Sequence, residues 1–212
     1  GATLAGAVRV PGDKSISHRA LMLGAIASGT THVRGVLEGE DCLATLRAVS
    51  ALGARVERPA VAEVRIEGVG LGGLRAPSSV LDMGNAGTAM RLFMGLLAGQ
   101  SFDSELVGDE SLMRRPMERV ARPLREMGAR IDTHDGRPPV RVRGGSRLHG
   151  IRYAMPVASA QVKSALLLAG LFAEGPTTVV EPAVTRDHTE RMLQSFGVEV
   201  AARGGTVTLR PP

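Results

Sequence analysis

The sequence predicts an α/β fold built as a threefold repeat of βαβαββ units with buried parallel helices, and three recurrences predict it. An amphipathic run closed by glycine appears three times, at Gly53, Gly128 and Gly197, a spacing of 75 and 69 residues. After each glycine come two short alternating segments that read as a strand pair. Upstream of each lies a run that is apolar nearly all round, the mark of a helix buried on every face.

Taken in chain order, the units span about 12–79, 80–150 and 151–212, behind a leading strand within residues 1–11 centred on Ala7 to Val10. The buried helices are expected at 15–27, 86–98 and 159–173. Strands Val80 to Met83 and Ile151 to Ala154 precede the second and third of these, and extended pieces from Thr30, Ser104 and Thr177 follow the three in turn. The amphipathic helices carry apolar residues three or four apart, as at Leu46, Val49 and Leu52 or Val120, Leu124 and Met127, and glycine is the residue that closes such helices. Pro123 falls inside the second and predicts a kink.

Composition narrows the function. With 43% hydrophobic and 22% charged residues, the 212-residue chain has enough apolar side chain for a sizeable core. The net charge of +5 rests on arginine, because Lys14 and Lys163 are the only lysines, and arginine suits phosphate and carboxylate partners. Four Phe, one Tyr and no Trp give no stacking platform for nucleic acid. Cys42 is alone, which excludes an intramolecular disulfide and suits a reducing, cytoplasmic setting. It reads as a small core residue of an amphipathic helix. No apolar stretch is long enough for a membrane span, and no cluster of His, Cys and carboxylates has metal-ligand spacing. The chain begins at Gly1 and ends at Pro212 directly after a strand-like run, which reads as a fragment.

Function concentrates at the starts of the buried helices: Gly12-Asp13-Lys14-Ser15-Ile16-Ser17-His18-Arg19, Gly84-Asn85-Ala86-Gly87-Thr88-Ala89-Met90-Arg91, and Ala158-Ser159-Ala160-Gln161-Val162-Lys163. Free N–H groups and the helix dipole make such termini attractive to anions. Ser15, Asn85 and Ser159 are each expected to act as N-caps, which leaves Lys14 and Arg19 to be explained by an anion. A Ser-Lys hydrolase, with Lys163 activating Ser159 or Lys14 activating Ser15, is a weaker reading because adjacent residues point apart on a helix.

GDKSISHR, GNAGTAMR, DESLMRRPM, ASAQVKSALLLAG and TRDHTERML together resemble the 5-enolpyruvylshikimate-3-phosphate (EPSP) synthase family, from about Leu4 to the end. Members are about twice this length, so the resemblance is to the first half. It implies an enolpyruvyl transferase lobe, an inside-out α/β barrel, with residues 12–212 as the lobe and 1–11 shared with a second lobe. It implies that Lys14 touches both substrates and is catalytic, and that Ser15, Arg19, Ser159, Ala160, Gln161 and Arg186 hold shikimate 3-phosphate. Asn85, Gly87, Arg115, Lys14 and Gln161 are the implied contacts of phosphoenolpyruvate, whose pocket glyphosate occupies in the family. His188 reads as a structural histidine.

The implied reaction adds the 5-hydroxyl of shikimate 3-phosphate to C2 of phosphoenolpyruvate with protonation at C3, then expels phosphate. No metal or organic cofactor is expected. The partners are the two substrates and a complementary C-terminal half, which supplies the family's acid/base carboxylates, so that the 212 residues alone are expected to be inactive. Two alternatives stand beside this reading: a lobe of the sister transferase acting on UDP-N-acetylglucosamine, and a non-catalytic anion-binding half-domain.

Overall fold

The computed structural model describes residues 5–8 and 10–212. Its elements run α1 (Lys14–Ile26), β1 (Ser28–Arg34), α2 (Glu40–Ala51), β2 (Arg55–Ala60), β3 (Glu63–Val69), β4 (Leu81–Asp82), α3 (Gly87–Ala98), β5 (Ser104–Val107), α4 (Glu110–Met113) and α5 (Glu118–Glu126). They continue with β6 (Arg130–His134), β7 (Arg137–Arg143), β8 (Arg152–Ala154), α6 (Ala160–Gly170), β9 (Thr177–Val180), α7 (His188–Ser195), β10 (Val200–Arg203) and β11 (Thr206–Leu209). The result is a mixed α/β architecture with three small sheets.

The sheets have the strand orders β1-β3-β2, β4-β5-β7-β6 and β8-β9-β11-β10. In the second and third, the two-residue or three-residue leading strand runs parallel to its neighbour and the rest is antiparallel. The first sheet is antiparallel throughout. The leading strand expected at Ala7 to Val10 is not found among its described residues: Ala7, Val8 and Val10 belong to no strand, and Arg9 lies outside the described residues. Val8 is 89% exposed, so this segment lacks the neighbour whose backbone would make it a strand. The short helix α4, unforeseen in the sequence, is started by Asp109, whose Oδ1 accepts from Leu112 N at 2.8 Å.

The three closing glycines all adopt the left-handed conformation, with φ of 101° at Gly53, 99° at Gly128 and 86° at Gly197. Each is followed by the same back-bond: Ala54 N to Val49 O, Ala129 N to Leu124 O, and Val198 N to Leu193 O. With the tighter bonds from the glycines themselves to Ser50, Arg125 and Gln194, these are Schellman closures, which require a residue free of a Cβ penalty. Pro123 sits inside α5 without ending it.

Helices α1, α3 and α6 form the centre. Every residue of α3 except Thr88 is buried, as are Ser17 to Ile26 of α1 and Val162 to Gly170 of α6. Close backbone approach explains their small residues: a Cβ on Gly95 of α3 would overlap the carbonyl of Ala165 in α6, and one on Gly68 of β3 would overlap the carbonyls of Gly24 and Ala27 at the end of α1. Helix α6 ends at Gly170, three residues before the expected limit.

Candidate functional site

The starts of α1, α3 and α6 meet. A cavity of about 120 Å³ is lined by Lys14, Ser15 and Arg19 of α1, Thr88 of α3, Ala160 and Gln161 of α6, together with Asp13 and Arg186. An adjoining space of about 540 Å³ shares Ala160, Gln161 and Arg186 and adds Ser159, Arg119 and Thr185. Six of the residues expected at the shikimate-3-phosphate position, Lys14, Ser15, Arg19, Ala160, Gln161 and Arg186, are thus assembled from three separate chain segments, and Ser159 stands next to them. Asn85, Gly87 and Arg115 form a second group.

The caps differ from the sequence reading. Asp13, not Ser15, starts α1: its Oδ1 accepts from Ile16 N at 2.8 Å. Ala86 precedes α3 without any side-chain cap. Ser159 caps α6 as expected, accepting from Val162 N at 3.3 Å. The physical reason is reach, because an aspartate one residue before Lys14 meets the third N–H, while Ser15 already lies within the first turn. Freed from capping, Ser15 Oγ accepts from Arg19 Nη1 at 2.7 Å and pairs with His188 Nδ1 at 3.2 Å.

Arg19 is buried and donates widely: Nε to Thr189 Oγ1 at 2.6 Å, Nη1 to Ser15 O at 2.9 Å, and Nη2 to Ser164 Oγ at 2.7 Å. Its partners are neutral oxygens, so the site keeps the charge. Burial, and then the nearby Arg186, pull its pKa down to about 10, against the opposing pull of Glu190 and Asp13, which still leaves it cationic at neutral pH. Lys14 is exposed and donates to Asp41 Oδ2 of α2 at 2.8 Å. That hydrogen bond and the Asp41 charge raise its pKa, so Lys14 keeps its proton more firmly than a free lysine. An internal carboxylate therefore accounts for Lys14 in part, where the sequence offered only an external anion.

Gln161 joins the two groups. Its Nε2 donates to Thr88 Oγ1 at 3.0 Å, and its Oε1 accepts from Arg91 Nη1 at 3.0 Å and Arg119 Nη2 at 3.3 Å. Arg91, in turn, donates to Pro116 O at 3.1 Å, beside Arg115. Arg115 holds the side chain and carbonyl of Asn85 through its Nη2 and Nη1, and Asn85 Nδ2 donates to Asp109 Oδ2 at 2.7 Å. A Cβ at Gly87 would come within 2.9 Å of Arg115 Nη1 and 3.2 Å of Arg91 Nη1. Burial, then Arg119 and Arg115, lower the Arg91 pKa to about 10. Sequence reasoning missed Arg91 and Arg119; Arg91 closes the motif GNAGTAMR and Arg119 stands two residues beyond DESLMRRPM, but only the fold reveals that they converge on one amide.

Lys163 is not available to activate Ser159. It is 1% exposed and its Nζ lies 2.9 Å from Glu181 Oε2 and 2.6 Å from Glu190 Oε1, which removes the hydrolase reading for the Lys163–Ser159 pair. Cys42 is buried, and burial first, then Asp41, lifts its thiol pKa to about 11, the opposite of a nucleophile. Among the described residues no helix is long and apolar enough to cross a membrane.

Against known proteins, residues 1–212 match the family model of EPSP synthase (3-phosphoshikimate 1-carboxyvinyltransferase). The chain is 62% identical over 99% of its length to the 3-phosphoshikimate 1-carboxyvinyltransferase of Methylococcus capsulatus, covering 48% of that relative. A relative of the same name from Legionella pneumophila is 56% identical over 97% of the chain. Among solved structures, EPSP synthase from Acinetobacter baumannii superposes with a TM-score of 0.95 at 59% identity, over 97% of this chain and 47% of that one. The chain thus spans about half the length of the relatives it matches. Family model, sequence identity and fold agree, and the chain belongs to the EPSP synthase family.

Proposed function

We propose that this chain is the first lobe of an enzyme that transfers the enolpyruvyl group of phosphoenolpyruvate to the 5-hydroxyl of shikimate 3-phosphate. The observation that carries the reading is the cavity where the starts of α1, α3 and α6 meet beneath Lys14, Arg19 and Arg186. Three cations and the helix starts, that of α3 without a side-chain cap, border a space that suits a phosphorylated acid. In this reading Ser15, Arg19, Ser159, the Ala160 backbone, Gln161 and Arg186 hold shikimate 3-phosphate. Lys14, Asn85, Gly87, Arg115 and Gln161 face phosphoenolpyruvate.

The chemistry follows from these roles. The hydroxyl oxygen gives up its proton as it attacks C2 while C3 takes one, and the tetrahedral adduct then loses phosphate from C2 and a proton from C3, which re-forms the carbon–carbon double bond. Lys14, kept protonated by Asp41, serves as a cation between the two substrates and as a proton carrier once substrate displaces the carboxylate. The polar bridge from Thr88 through Gln161 to Arg91 sets the spacing of the two substrate positions, because orientation supplies much of the rate. No metal or organic cofactor enters this scheme.

The threefold repeat, with its inside-out barrel, belongs to the same proposal. Three Schellman closures and the matching strand orders support it. The exposed Val157 and Val184, both beside the cavity residues, fit a surface that a second lobe covers. Such a lobe would bring the remaining acid/base groups and exclude water. A cytoplasmic setting completes the reading.

Isothermal calorimetry tests it. Shikimate 3-phosphate should bind the chain weakly and UDP-N-acetylglucosamine should not, and Lys14→Ala or Arg186→Ala should each reduce the affinity. Binding of the UDP-sugar in preference, or equal affinity in all three proteins, would refute the assignment.

A further inference from the structure

Lys163 is a buried lysine, 1% exposed, in a helix that carries no other charge, and no step of the reaction uses it. A methionine would fill the same volume without desolvating an ammonium. Its two carboxylate partners, however, flank one loop. Glu181 follows β9 directly, Glu190 lies in the first turn of α7, and both reach the same Nζ. The segment between them therefore leaves and re-enters the core at one ammonium.

That segment has little else to hold it. Pro182, Ala183, Val184, Arg186 and Asp187 are exposed, with Val184 at 78%. The inward tie is Thr185, whose N–H donates to Glu181 Oε1 at 3.2 Å and whose hydroxyl donates to the same oxygen. Glu181 thus takes Lys163 on Oε2 and Thr185 on Oε1, a continuous link from the interior of α6 to the residue before Arg186. Lys163 is also only two residues from Gln161, so the link fixes the loop relative to the start of α6.

The rest of the surroundings agrees. Thr189, next to Glu190, accepts from Arg19 Nε at 2.6 Å and pairs with Ser164 Oγ at 2.7 Å. Lys163 takes both carboxylates, Glu181 and Glu190, so neither is paired with Arg19, and Arg186 lies outside the cluster.

We propose that Lys163, Glu181 and Thr185 are positioning residues that hold Arg186 over the anion cavity. The proposal rests on the reading of Arg186 as a shikimate-3-phosphate contact. Arg186 is exposed on a loop without an apolar anchor. A long side chain on such a backbone binds an anion well only if its Cα is fixed in advance.

The test is a double-mutant cycle on the 212-residue chain, using calorimetry with shikimate 3-phosphate. Thr185→Val keeps the shape of the side chain and removes the hydroxyl tie. It should weaken binding about tenfold, as expected for a hydrogen bond to a charged group, with a modest fall in melting temperature that leaves the chain folded at the assay temperature. In an Arg186→Ala background the same substitution should change affinity less than about twofold, since the two would act through one contact. Equal losses in both backgrounds, or no loss in the first, would overturn the proposal.

Amide hydrogen exchange keeps the outcome independent of the functional reading. Glu181→Gln should accelerate exchange at Thr185 and Arg186 about tenfold or more while the amides of α3 stay protected. If the wild-type chain binds no shikimate 3-phosphate, the functional reading fails and the exchange result still decides whether the cluster fixes the loop. Unchanged exchange at those two residues would show that it does not.

Discussion

His18 is wholly buried in α1, with Nδ1 2.7 Å from Thr45 Oγ1 and Nε2 without a partner among the described residues. Because Thr45 Oγ1 donates to Asp41 O at 3.4 Å, a proton on Nδ1 leaves only a bare lone pair at Nε2, whereas the other tautomer would bury an unpaired N–H. Burial is also what lowers the His18 pKa to about 4 from 6.5, with Asp41 opposing. The unfolded imidazole takes up its proton near pH 6.5 and the folded one only near 4, so between those values the unfolded state binds more protons and stability falls as pH falls. The loss amounts to about 3 kcal/mol across that window. Urea titrations at pH 7 and pH 4.5 should show it, and His18→Gln should remove most of the difference.

Two glycines at the same scale predict opposite outcomes. At Gly87 an added methyl meets the ends of Arg115 and Arg91, which are flexible, so Gly87→Ala should cost less than about 1 kcal/mol of stability while displacing Arg115 from Asn85. In the complete enzyme it should also crowd glyphosate more than it slows turnover. At Gly95 the methyl meets the backbone of Ala165. Gly95→Ala must push α3 from α6 and should cost about 3 kcal/mol or more, read as a fall in melting temperature.

Among the elements, the clearest energetic claim concerns α6. Lys163→Met leaves Glu181 and Glu190 buried without their ammonium, and removing one member of a buried ion cluster costs about 3–5 kcal/mol. A triple change that also replaces Glu181 and Glu190 with apolar residues should recover much of that stability, which chemical denaturation can measure. This is also where the sequence stops being legible. The helix-closing glycines, the apolar runs and the strand pairs are local patterns with fixed periods, and they located most elements within about two residues. β5 and β9 fall at the expected positions, Ser104–Val107 and Thr177–Val180. The limits that moved have local causes: α6 closes at Gly170, where a Cβ would press on Thr177 of β9.

The residues that line the cavity could be named from the sequence, and their wiring could not. Lys14, Ser15, Arg19, Gln161 and Arg186 could be named from motifs, but their partners lie far along the chain. Asp41 is 27 residues from Lys14, and Thr189 is 170 residues from Arg19. No periodicity encodes such pairs. The assignment of Ser15 as a cap failed because two adjacent polar residues compete for the same N–H groups, and geometry favours Asp13.

At the scale of the molecule, about half of the relatives' length is represented, and two cations of the cavity, Lys14 and Arg186, are exposed to solvent. Water there screens each charge that would stabilise a transition state, which weakens catalysis far more than it weakens recognition of a charged substrate. The central claim is that this chain recognises shikimate 3-phosphate but lacks what turnover requires. The most direct measurement is phosphate release by the purified 212-residue chain supplied with shikimate 3-phosphate and phosphoenolpyruvate, with binding followed in the same sample. The account predicts that shikimate 3-phosphate binds and that no phosphate appears above the uncatalysed background. Sustained phosphate release from this chain alone would contradict it.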